Sequence, residues 1–133
     1  MSKKTARENA FKLAFEYLFN KDVRADGLPA VFDEETPPAD RAFAEQILNG
    51  VKQNYDELKQ LISQNAKDYA YDRIYKVDLA ILLAALTEIL YMKGEKALVI
   101  NEAVELAKIY STEKSYKFIN GVLAGIVNKG EVT

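Results

Sequence analysis

Lys114, Tyr116, Lys117 and Phe118 put two ammonium groups beside two aromatic rings within five residues. Lysines neutralise phosphates and aromatic faces stack on unpaired bases, so the pattern has the chemistry of a single-stranded RNA contact. A plainer reading competes with it. Phe118 is also the first apolar residue of a helical repeat, and Lys117 then simply faces solvent. Spacing alone leaves both open. A second basic group, Lys3, Lys4 and Arg7, stands at the other end of the chain. Cations at the start of a helix oppose its macrodipole, so helix stability does not account for them. Taken alone, they read as a solubilising tail.

Other chemistries are poorly supplied. The 133 residues contain no cysteine and no histidine, which removes thiolate nucleophiles, disulfides and the commonest general base and metal ligand. Glu34-Glu35 and Asp56-Glu57 are neighbours in sequence, and adjacent residues do not face each other on a helix. Glu102 and Glu105 lack the histidine that a di-metal bundle needs. No enzyme, cofactor or metal is expected. The apolar run Leu79–Leu86 is far too short to span a membrane, and no secretory signal follows the basic N-terminus. A cytoplasmic setting is expected. The net charge of −2 hides a strong asymmetry. From Asp22 to Lys59 nine acids face four bases, whereas five bases and two acids occupy residues 1–21, and four lysines and one acid occupy residues 108–129.

The elements that must position these groups are helical. Ala6, Ala10, Leu13, Ala14, Tyr17 and Leu18 recur at three- and four-residue steps, predicting a helix over residues 4–20. Residues 21–38, ending in a Pro-Pro pair, predict a loop with one short turn around Pro29 to Phe32. Pro38 or Asp40 opens a helix that runs to about Ala66, with Gly50 as a candidate bend. From Val77 to Met92 the chain is apolar on nearly every side, apart from Asp78, Thr87 and Glu88. Such a helix is central and buried. Two more helices follow, one through Ile100 to Ala107 and one through Phe118 to Val127, closed by Lys129-Gly130. The prediction is an all-α chain, a single compact bundle of about six or seven helices over residues 1–133, with Leu82, Leu86 and Ile89 among its most buried residues.

Two long segments carry a family resemblance. RIYKVDLAILLAALTEILY, followed by VINEAVELAKIYSTEKSYKFINGVL, resembles the C-terminal half of the bacterial transcription antitermination factor family NusB, and TARENAFKLAFEYLF resembles its opening helix. The resemblance covers nearly the whole chain and is weak from Lys21 to Pro38. It implies two packed helical subdomains and binding of the boxA RNA of ribosomal RNA leaders. It further implies partnership with the ribosomal protein NusE in the RNA polymerase antitermination complex, and in some members a homodimer that hides the RNA face.

Position by position, the resemblance assigns RNA binding to Lys3, Lys4, Arg7, Phe15, Lys114, Lys117 and Phe118, and places Asp78 near the NusE-facing surface. The five cations in this set are expected to form one positive surface, with the first helix and the start of the last as neighbours. Two departures matter. The N-terminal cluster is mostly lysine where the family is richer in arginine, and lysine makes poorer bidentate phosphate contacts. Ile81-Leu82-Leu83 stands where the family commonly has I-L-R, so RNA affinity without the partner is expected to be modest. A helical protein–protein adaptor with no RNA role is the competing function. The related domain of ribosomal RNA cytosine methyltransferases would need a catalytic domain with a cysteine nucleophile, and this sequence has no cysteine.

Overall fold

The computed structural model describes residues 3–22, 35–67 and 69–128. Within them lie six α-helices: α1 Lys4–Phe19, α2 Pro38–Gln53, α3 Tyr55–Asn65, α4 Lys76–Tyr91, α5 Lys96–Tyr110 and α6 Ser115–Asn128. A 3₁₀ turn, Tyr71–Arg73, joins α3 to α4. No strand occurs among the described residues, as the apolar periods predict. The short turn expected around Pro29 to Phe32 and the Lys129-Gly130 stop lie outside the described residues.

Helix α4 is the axis of the molecule. Every residue from Asp78 to Ile89 is buried, and Leu82, Leu86 and Ile89 are 0%, 0% and 3% exposed. Burial of so long a run requires that its polar groups be paired. Thr87 Oγ1 donates to the Leu83 carbonyl at 2.8 Å, Glu88 meets Arg7 and Asp78 accepts from two serines. Among the described residues no buried side-chain nitrogen or oxygen lacks a partner. Two groups of helices share this axis. Helices α1 and α2 pack on each other and on one side of α4, while α5 and α6 pack together on another side, with α3 against α6.

The long helix predicted from residue 39 to residue 66 is two helices, and the break falls at Asn54 rather than Gly50. Asn54 leaves helical geometry at φ −115° and ψ 20°. Its Nδ2 donates to the Gly50 carbonyl at 3.0 Å, a local side-chain bond that competes with helix continuation. Gly50 has a different task. A Cβ there would lie 2.5 Å from Thr87 Cγ2, so the missing side chain is what lets α2 approach α4.

Candidate nucleic-acid interface

The turn between α5 and α6 is held from below. Asp78, in the first turn of α4, is 4% exposed. Ser111 Oγ donates to its Oδ1, and Ser115 Oγ donates to its Oδ2 at 2.9 Å. With its own proton committed, Ser115 Oγ accepts from Thr112 Oγ1 at 2.8 Å. The carboxylate also complements the positive N-terminal end of α4. Three hydroxyls and one buried carboxylate thus fix the backbone that carries Lys114, Lys117 and Phe118. Asp78→Ala is expected to destabilise the fold by about 1–3 kcal/mol, because it strips the buried Ser115 hydroxyl of its acceptor. Urea unfolding measures this, and an unshifted midpoint would show that the turn stands without the carboxylate.

Above that floor lies a cleft of about 610 Å³ whose walls include Tyr69, Arg73, Tyr75, Lys114 and Phe118. Phe118 is half-buried and meets Tyr69 edge to face, with ring centroids 5.2 Å apart at 81°. Tyr69 and Tyr75 are 54% and 64% exposed, high values for residues of this size. One side of Phe118 packs on the core and another faces the cleft. Tyr69, Arg73 and Tyr75 were missed as site residues by sequence reasoning. Their signal was present in the aromatic and basic connection after α3, but nothing in that stretch says that it folds back over Phe118.

The N-terminal residues divide. Lys3 is exposed, with its Nζ 4.9 Å from the centroid of the Phe43 ring. Lys4 is exposed beside Glu102, Glu105 and Ile109 in the furrow between α1 and α5. Arg7 points inward. Its Nε lies 2.9 Å from Glu88 Oε1 and its Nη2 lies 2.7 Å from Oε2, with side chains 11% and 5% exposed. The hydrogen bond to Glu88 outweighs desolvation and holds the guanidinium pKa above its ordinary value. Lys3 at the α4–α5 connection and Arg7 on Glu88 set α1 antiparallel to α4. This direction carries Phe15 to the Asp78 end of the molecule, where it stacks edge to face on the exposed Phe19 at 5.0 Å.

The expected single positive surface is corrected to two basic groups that lie apart. Helix α6 packs on α5, α4 and α3, whereas α1 packs on α2 and α4. Lys3 lies near the start of α5 and Lys114 follows its end, so a 15-residue helix of about 22 Å separates them. Tyr110 bridges part of the gap. Its ring is 5.1 Å from Phe11, its hydroxyl donates to Glu8 at 2.6 Å and Lys12 lies 5.9 Å above it.

The NusB family model matches residues 4–128. The transcription antitermination protein NusB of Finegoldia magna is 37% identical over 133 residues, covering 98% of this chain and 97% of its own. The solved NusB of T. maritima superposes with a TM-score of 0.86 at 30% identity, covering 97% of this chain and 92% of its own. A solved complex of the antitermination factors NusB and NusE with dsRNA gives a TM-score of 0.83 at 23% identity over 95% of this chain and 96% of its own. That last match speaks to the fold alone. With the family pattern matched from α1 to the end of α6, and a relative of this identity over nearly its full length, the chain belongs to the NusB family.

Proposed function

We propose that this chain is a transcription antitermination factor that binds boxA RNA of ribosomal RNA leaders together with NusE, within the RNA polymerase antitermination complex in the cytoplasm. It acts as one helical RNA-binding domain and carries out no catalysis. The observation that carries the RNA half is the cleft in which Tyr69 and Phe118 meet edge to face, with Arg73 and Lys114 on its walls. Aromatic faces accept unpaired bases and flanking cations accept phosphates. Lys3 and Lys4 at the start of α1 and Lys114 and Lys117 at the α5–α6 turn supply the charge. Phe15, beside Phe19, is a further ring proposed to meet the RNA. Asp78 acts on NusE binding through the turn that it holds, since both of its oxygens are engaged. The name of the Finegoldia magna relative, a transcription antitermination protein 37% identical over nearly the whole chain, supports the assignment.

The test is a titration of boxA RNA and a scrambled RNA, each with and without NusE. Preference for boxA that strengthens with NusE is expected. NusE binding with no RNA binding would select the adaptor reading instead. Phe118→Ala should weaken boxA binding by about 1–3 kcal/mol, the range for loss of one base–aromatic stack. Because Phe118 is only half-buried, the variant should remain folded by circular dichroism. A folded variant with parental RNA affinity would remove the stacking role and leave the lysines.

A further inference from the structure

We propose that the strand whose base enters the aromatic cleft crosses the α5–α6 turn and sets a backbone phosphate in a second hollow on its other side, held by Lys108, Lys114 and Lys117. This inference rests on the RNA reading above and extends it to Lys108, which neither the sequence motifs nor the family resemblance assigned, and it gives Tyr116 a task other than base stacking.

The second hollow has a volume of about 610 Å³ and holds Lys108, Tyr116 and Lys117 in its walls. Thr112, Glu113 and Lys114 line both this hollow and the aromatic cleft, so the turn is the ridge between them. The two sides differ in chemistry. One is walled by Tyr69, Tyr75 and Phe118. The other presents three ammonium groups with the Ser111 and Thr112 side chains and one acid, Glu113. Rings on one side and cations on the other match the two halves of a nucleotide.

Tyr116 organises the cations. Its half-buried ring lies 5.3 Å from Lys108 Nζ and 6.0 Å from Lys117 Nζ. Attraction to a single ring draws both amines to one place, without the neutralisation that a carboxylate would bring. Lys108 also meets Glu105 at 3.2 Å, but those side chains are 52% and 43% exposed. An exposed pair of this kind is weak, and an ammonium group has three donors, so a phosphate can compete for it. The Asp78–Ser115 network beneath the ridge fixes the relation of the two hollows.

The experiment measures boxA RNA binding by the full chain as a function of salt. Lys108→Ala should lower the slope of log K against log salt by about 0.7, the value for one single-strand phosphate, with severalfold weaker binding at low salt. Lys108→Arg should restore the slope, and Glu105→Ala should leave it intact or tighten binding. A neutral methylphosphonate linkage walked along the RNA should abolish the effect of Lys108→Ala at one linkage only. An unchanged slope in Lys108→Ala, with Lys114→Ala still lowering it, would overturn the second hollow and leave the RNA reading standing. Absence of salt-dependent RNA binding by the parent chain would instead remove both.

Discussion

Leu86→Ala is expected to lower the free energy of unfolding by about 2–5 kcal/mol, the range for a buried leucine whose cavity does not collapse. Leu86 is 0% exposed, and so are Leu82 and Leu83 on the same helix. Collapse is difficult at this site because α4 is enclosed by α1 and α2, by α5 and α6, and by α3. No single neighbour can move into the space without leaving another contact. The check is urea denaturation, with the midpoint falling and the slope unchanged. A loss below about 0.5 kcal/mol would place the side chain at the surface, where such small effects are usual. RNA affinity measured where the variant remains folded should match the parent, since Leu86 is remote from the cleft walls.

The helices that sequence reasoning located best are those whose apolar period stops abruptly. Helix α4 is bounded by the aromatic connection before it and by Lys93-Gly94 after it, where Lys93 turns to φ 55°. The α2–α3 break was illegible for the opposite reason. Val51, Tyr55, Leu58 and Ile62 keep a helical spacing across it, and only the side-chain bond of Asn54 to the Gly50 carbonyl marks the stop. The candidate interface divides in the same way. Lys114, Lys117 and Phe118 announce themselves by residue type. Tyr69, Arg73 and Tyr75 become cleft residues only because the connection before α4 crosses Phe118. The positive patch expected from the two basic ends is divided because the direction of α5, which separates Lys3 from Lys114, is set by packing that charge counting does not see. Least legible of all was the fate of Arg7, whose partner Glu88 lies 81 residues away.

That pair supplies the other large effect. Arg7→Ala should destabilise the protein by about 3–5 kcal/mol, because it leaves the Glu88 carboxylate, which is 4% exposed, buried and uncompensated. The site has little freedom to adjust. Gly94 donates its N–H to the Glu88 carbonyl at 2.9 Å, and a Cβ at Gly94 would lie 2.8 Å from Glu88 Cγ. Glu88→Ala should cost less, since the half-buried Arg7 guanidinium still has Glu102 beside it. Any loss of RNA binding in either single variant is therefore confounded with loss of structure. Arg7→Met combined with Glu88→Leu separates the two. Replacing both members of a buried pair with apolar groups of similar volume is often neutral or stabilising, so the double variant should recover most of the stability lost by either single change. The geometry makes Arg7 the anchor that fastens the start of α1, with Lys3 and Lys4, onto α4. On that account the double variant keeps the parental salt slope for boxA RNA. A slope lower by about 0.7 in a well-folded double variant would mean that Arg7 leaves Glu88 to meet a phosphate directly.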